Sequence, residues 1–143
     1  MTEPIVIEFE VAALVEHVFE AWTSRCSSWW PFSHTMSGDE HPEIVVQPFV
    51  GGRIPERSSS GEEFDWGEIL VWDPPSRLEY WWHIFLDRDR ATRVSLTFIG
   101  SELGTKVTLV NDGFEVFGDG AAERAGRVGS AWAMITERFG ESF

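Results

Sequence analysis

Between Glu43 and Asn111 the chain passes through six extended segments with no helical stretch between any two of them. They are Glu43 to Pro48, Arg53 to Arg57, Phe64 to Trp72, Arg77 to Leu86, Thr92 to Ile99 and Thr105 to Asn111. Parallel neighbours need a crossover of a dozen or more residues, usually helical, and no gap here supplies one. The segments must therefore meet as consecutive antiparallel strands. Their turns read directly from residue type: Gly51-Gly52, the polar reversal Ser58 to Gly61, and Asp73-Pro74-Pro75-Ser76, each rich in residues that favour tight turns. The remaining connections, Asp87 to Arg90 and Gly100 to Gly104, are short and polar.

The flanks complete the architecture. Ile5 to Glu10 alternates, with Ile5, Ile7 and Phe9 on one face, which predicts an opening half-buried strand. From Ala12 to Trp22, the positions Leu14, Val15, Val18, Phe19 and Trp22 fall on one helical stripe. Ser24 to Pro31 predicts a short second helix stopped by Pro31, and Phe32 to Pro42 reads as a loop of the length often found in lids. After a Gly118-Asp119-Gly120 break, Ala125, Val128, Trp132, Ile135 and Phe139 mark a long helix over Ala121 to Phe139. Seven strands in meander order with a long final helix define an α+β chain whose curved antiparallel sheet packs on that helix.

The succession of the GG turn, Gly67, the PP-x-R-L turn of Pro74 to Leu78, and G-T-K-V-T-L running into Asn111-Asp112-Gly113-Phe114 resembles the Aha-type branch of the START-like, or SRPBCC, superfamily. The likeness covers nearly the whole chain in order and type of element. It implies one START-like domain over residues 1–143 with a helix-grip fold, a seven-stranded sheet wrapped around the C-terminal helix and two short helices after the first strand. It also implies a cavity between sheet and helix, with the Trp29 to Phe32 region near its rim.

Composition narrows the partners. The formal charge is −13, and Lys106 is the sole lysine among 11 basic residues. A nucleic-acid backbone demands a basic stripe that this chain cannot assemble, and the acidic excess repels anionic lipid surfaces. No stretch approaches the roughly 20 apolar residues of a membrane span, and the N-terminus has no basic, apolar leader, so a cytoplasmic protein is expected. Cys26 is the only cysteine, which precludes an intrachain disulfide and reads as a small buried apolar thiol. Eight tryptophans and eleven phenylalanines are the compositional oddity. Aromatic rings bury about 150–250 Å² each, so they must fill a core or wall a cavity, and the expectation is a hollow.

Alternation assigns the faces. Leu78, Tyr80, Trp82 and Ile84 point inward, opposite Glu79, Trp81, His83 and Phe85. Gly67, Ile69, Val71, Val94, Leu96, Phe98, Val107, Leu109 and Asn111 share the interior with the stripe of the final helix. Gly67 marks either a strand bend or space beside the backbone. Trp29, Trp30, Pro31 and Phe32 form either the rim or a plug fastening the short helix. Asn111 stands where Aha-type relatives often carry histidine; the amide either orients a ligand or caps the strand-end turn. Trp81 and Phe85 would form an outer patch suited to a homodimer, unless a one-residue slip reverses the faces.

Catalytic signatures are absent: no Gly-rich phosphate loop, no Gly-x-Ser-x-Gly elbow, no histidine placed beside Cys26. His34 and His41 flank Asp39 and Glu40 without metal-ligand spacing, so neither metal nor cofactor is expected. His17 and His83 suit surface positions. Glu62, Glu63, Asp65 and Glu68 read as solvated charges, with Glu68 able to pair with Arg53 across strands. The reading that follows is a non-enzymatic binder of a small apolar or aromatic, lipid-like molecule. Its expected walls are Trp30, Phe32, Trp66, Ile69, Tyr80, Trp82, Leu96, Asn111, Phe114, Trp132 and Ile135. The resemblance implies two rivals: a polyketide cyclase using the same cavity, with Tyr80 as proton donor, and a co-chaperone-like interaction module.

Overall fold

The computed structural model describes residues 3–143. Seven strands, β1 (Ile5–Val11), β2 (Glu43–Ile44), β3 (Arg53–Arg57), β4 (Glu63–Asp73), β5 (Arg77–Trp82), β6 (Thr92–Ser101) and β7 (Gly104–Asp112), form one sheet. Its order is β1-β7-β6-β5-β4-β3-β2, with every pairing antiparallel. Helix α1 (Val15–Thr23) follows β1, and helix α2 (Ala121–Glu141) closes the concave side. This is the helix-grip architecture that the meander and its turns predict.

The turns behave as their residues dictate. Ser76 N–H donates to the Asp73 carbonyl at 2.9 Å across the Pro-Pro turn, and Gly61, at φ 91°, closes the reversal begun at Ser58. Gly67 is needed for close approach: a Cβ there would collide with the Trp81 carbonyl oxygen on β5. That carbonyl fills the space beside Gly67, and a register shift between Arg53 and Pro55 on the facing stretch of β3 supports the bend reading. A β-bulge between Ile69 and Val71 then sets Val71 opposite Glu79 on the outer face, not on the interior face expected for it, and Trp72 opposite Leu78.

The core lies between the concave sheet face and the two helices. Helix α1 buries Val18, Phe19, Ala21 and Trp22, while α2 buries Trp132, Ile135 and Phe139. Six tryptophans, Trp22, Trp29, Trp30, Trp66, Trp82 and Trp132, interlock in one ring cluster, with neighbouring centroids 4.9–6.3 Å apart. Trp30 is its hub, touching Trp29, Trp66, Trp82 and Trp132. Burying one such ring contributes about 4–6 kcal/mol as an upper estimate. Most of the aromatic surplus is thus solid packing, and the expected hollow survives only at one end of the cluster.

Four further local expectations need correction. The second helix reduces to a single 3-10 turn at Cys26–Ser28, with another at Phe32–His34, because the indole of Trp29 is pulled inward to donate to the Ala21 carbonyl at 2.8 Å. Strand β2 stops after two residues. Val45 and Gln47 still donate singly to β3, but Pro55 has no N–H to return the bond. Leu14 is the residue before α1 and is exposed rather than part of the buried stripe. Strand β5 ends at Trp82, where the chain turns through Phe85 at φ 66° instead of continuing to Leu86.

Candidate functional site

A pocket of about 190 Å³ opens between the sheet and the N-terminal half of α2. Trp82, at the end of β5, and Thr92, at the start of β6, supply the sheet side; Ile84, Phe85 and Leu86 follow the turn out of β5. Phe114 and Phe117 come from the 3-10 segment Phe114–Gly120, and Val128, Ala131, Trp132 and Ile135 from α2. Trp30 and His34 close the remaining side, and Arg124 and Arg127 complete the lining on α2.

Four hollows of larger volume, about 450–620 Å³, lie elsewhere, and the two largest are grooves lined partly by charged side chains. A groove of about 620 Å³ between α1, the β2 segment and the Pro74-Pro75 turn contains Glu16, Glu20 and Ser24 alongside Trp72. A second, of about 550 Å³, lies around Trp81, His83 and Arg88. Both carry carboxylates in their linings, Glu16 and Glu20 in one, Glu68 and Asp89 in the other. The smaller pocket is walled instead mainly by rings, of which Trp30, Trp82, Phe114 and Trp132 are buried and Phe85 is exposed, which is the environment an apolar ligand needs.

Of the residues expected to wall a cavity, Trp30, Trp82, Phe114, Trp132 and Ile135 line this pocket. Trp66, Ile69, Tyr80, Leu96 and Asn111 are buried away from it, and Phe32 is exposed outside it. Trp66 instead donates its indole N–H to Glu56 at 3.0 Å. Glu56 is itself fully buried, and also accepts from the backbone N–H groups of Met36, at 2.7 Å, and Ser37, at 3.0 Å, and from the Ser37 hydroxyl. It therefore ties the loop after Phe32 to the core. Alternation within Arg53–Arg57 places Glu56 on the same face as Ile54, a signal that sequence reasoning passed over.

Asn111 has neither of its two expected roles as a ligand contact or a turn cap. Its amide donates to Thr92 Oγ1 and to the Arg93 carbonyl, both at 2.9 Å, and its carbonyl accepts the indole N–H of Trp132 at 3.0 Å. Both donor hydrogens and the acceptor are occupied, so Asn111 clamps α2 to β6 and sets the position of the Trp132 ring in the pocket wall. Tyr80 packs behind Trp82, with the rings tilted by 58° and their centroids 5.5 Å apart, and burial pushes its phenol far above the ordinary range. Burial likewise raises the Cys26 thiol, which makes it unreactive.

His83 is buried, not a surface residue. Its Nε2 lies 3.5 Å from Arg53 Nη2 and 3.8 Å from Asp65 Oδ2, and its Nδ1 has no hydrogen-bond partner among the described residues. Arg53 pairs with Asp65 and, at 2.6 Å, with Glu68, as cross-strand adjacency predicts. Trp81 remains exposed on the outer face, but Phe85 turns to the pocket, so the two do not form one patch. In the loop, Asp39 accepts from the N–H groups of Ser59 at 2.7 Å and His41 at 3.1 Å; these bonds hold its carboxyl down at about 2.

Arg124, Arg127 and His34 are the ionisable pocket residues that sequence reasoning missed, and Leu86, Thr92, Phe117, Ala131 and the outward-assigned Phe85 are the uncharged ones. Arg124 precedes Val128, Ala131 and Ile135 at helical spacing, so the apolar stripe already pointed to it. Its guanidinium carbon sits 4.7 Å from the Phe117 ring centroid. His34 Nδ1 lies 3.0 Å from Ser33 Oγ.

A curled antiparallel sheet gripping a long helix, with a ring-walled pocket between them, defines a START-like domain. The family model described as activator of Hsp90 ATPase homolog 1-like protein matches residues 12–142. The chain belongs to that family, the Aha-type branch of the superfamily. Among solved structures, an anthrahydroquino-gamma-pyrone synthase, Txn09, complexed with SUM, is 34% identical, with a TM-score of 0.68 over 98% of this chain and 96% of its own. The Aha1 dimer from Colwellia psychrerythraea shares the fold at 16% identity and a TM-score of 0.70, over 99% of this chain and 96% of its own. DynU16, a putative protein of the dynemicin biosynthetic locus, does so at 19% identity and a TM-score of 0.69, over 99% of this chain and 47% of its own. No curated protein matches the chain significantly. Among the described residues, no helix is long and apolar enough to cross a membrane.

Proposed function

We propose that this protein binds one small apolar or aromatic molecule in the pocket formed by Trp30, Trp82, Phe114, Val128, Trp132 and Ile135. The observation that carries the reading is a wall of rings whose neighbouring buried polar groups are already satisfied internally, as at Asn111 and Thr92. Such a wall gains by contact with apolar surface and gives up no hydrogen bond. An apolar cavity of about 150 Å³ holds a benzene-sized molecule, so about 190 Å³ suits one substituted ring, with a larger ring system extending past Phe85. Ala131 supplies the test. Ala131→Trp fills the pocket from α2 and should abolish binding of a naphthalene-sized probe while leaving the fold intact by circular dichroism. Undiminished binding would place the ligand elsewhere.

A second reading, an enzyme that closes a ring in an aromatic polyketide, is favoured by the 34% identity to a pyrone synthase over nearly the full length of both chains. Histidine is the side chain best suited to proton transfer near neutrality, and the lining holds one, His34. Tyr80 lies too deep to take part. Turnover of a linear polyketide substrate that vanishes in His34→Gln but persists in Tyr80→Phe would support this reading; absence of turnover in the unaltered protein would remove it.

A further inference from the structure

We infer that the molecule held in this pocket is an anion, an aromatic system bearing a carboxylate or similar charged group at its outer end, recognised by Arg124 and Arg127. This rests on the binding reading above and adds the charge of the ligand to it. The chain carries 24 acidic and 11 basic residues, so a surface drawn at random should be acidic. The pocket inverts that balance, with two guanidiniums and no carboxylate in its lining.

Of the nine cations outside the pocket, six are neutralised locally, whereas Arg25, Arg90 and Arg138 have no carboxylate within ion-pairing distance among the described residues and do not line this pocket. Arg53, Arg57, Arg77, Arg88, Arg93 and Lys106 each have a carboxylate within ion-pairing distance. Among the described residues, neither Arg124 nor Arg127 has one. Arg124 is half-buried and lies against the Phe117 ring instead of a carboxylate. A guanidinium beside an apolar wall is poorly hydrated and presents a planar donor fork, which matches a carboxylate in two parallel hydrogen bonds. Both arginines lie on the turns of α2 just before Val128, Ala131 and Ile135, so a ring seated against those residues directs its substituent toward them.

The test is equilibrium dialysis of the full chain with 2-naphthoate and with its neutral counterpart 2-naphthamide. The expected result is binding of naphthoate about 10- to 100-fold tighter than the amide, the range of a charge-assisted hydrogen bond. The Arg124→Gln/Arg127→Gln double variant should erase that preference, so that naphthoate binds no tighter than the amide. Equal affinity of the two probes for the unaltered protein would overturn the anion inference and leave the pocket reading standing. Failure of both probes to bind would overturn the pocket reading and the inference with it. Naphthoate binding that survives Ala131→Trp would place the anion on the surface and would equally refute the assignment.

Discussion

Asn111→Leu removes the clamp between α2 and the sheet with a side chain of the same branching. The lost groups are specific: the Trp132 indole N–H is left buried without its acceptor, and the amide bonds to Thr92 and the Arg93 carbonyl disappear. An orphaned buried donor costs about 1–3 kcal/mol and each ordinary hydrogen bond about 0.5–1.5 kcal/mol. Leucine returns part of this through apolar burial, so the net loss should be about 2–4 kcal/mol. Urea unfolding followed by tryptophan fluorescence measures it as a lower midpoint at unchanged slope. Trp132 also lines the pocket, so the variant should bind a naphthalene-type probe more weakly even where it is fully folded. A loss under about 1 kcal/mol, or unaltered probe affinity, would refute the view that this amide positions the pocket wall.

Other variants probe separate links in the structure. Glu56→Gln places an amide N–H₂ among donors from Met36, Ser37 and Trp66, and should destabilise the fold by about 1–3 kcal/mol; faster hydrogen exchange at Met36 and Ser37 would report the released loop. Gly67→Ala forces a Cβ against the Trp81 carbonyl, so it should cost more than about 2 kcal/mol and lower the melting temperature, whereas a neutral result would show that β4 bends without needing glycine. Asp39 has a folded pKa of about 2, below its unfolded value near 4, so its contribution is fully present above that unfolded value. It is lost as pH falls through about 2, and carboxyl NMR titration of Asp39, with Asp39→Asn insensitive over the same window, checks the sign.

How much of this was legible in the sequence depended on whether a feature is local. Turn chemistry at Asp73–Ser76 and Ser58–Gly61, and alternation along Arg93–Phe98, are local, and they placed the strands and the inward faces. The end of β5 was not legible, because a left-handed Phe85 has no residue signature of the kind glycine gives. Asn111 was placed correctly on the interior face, yet alternation says only which side a residue faces; its partners come from β6 and α2, remote in sequence. The burial of His83 has the same origin, in Arg53 and Asp65 of the neighbouring strands. Composition announced an excess of rings but not whether they stack or surround a void, and Trp30 decides this by touching four other tryptophans at once. Arg124 was visible on the helical stripe and passed over, because a charge at the end of an apolar face ordinarily reads as solvated.

The occupied site can be read directly from the indole N–H resonances of the tryptophans during titration with 2-naphthoate. Trp30, Trp82 and Trp132 line the pocket, whereas Trp72 reports the groove beside α1 and Trp81 the groove on the outer sheet face. Saturable shifts at Trp30, Trp82 and Trp132, with Trp72 and Trp81 unmoved, are the predicted result. Shifts centred on Trp72 or Trp81, or none at any of the five, would contradict a ligand site between the sheet and α2.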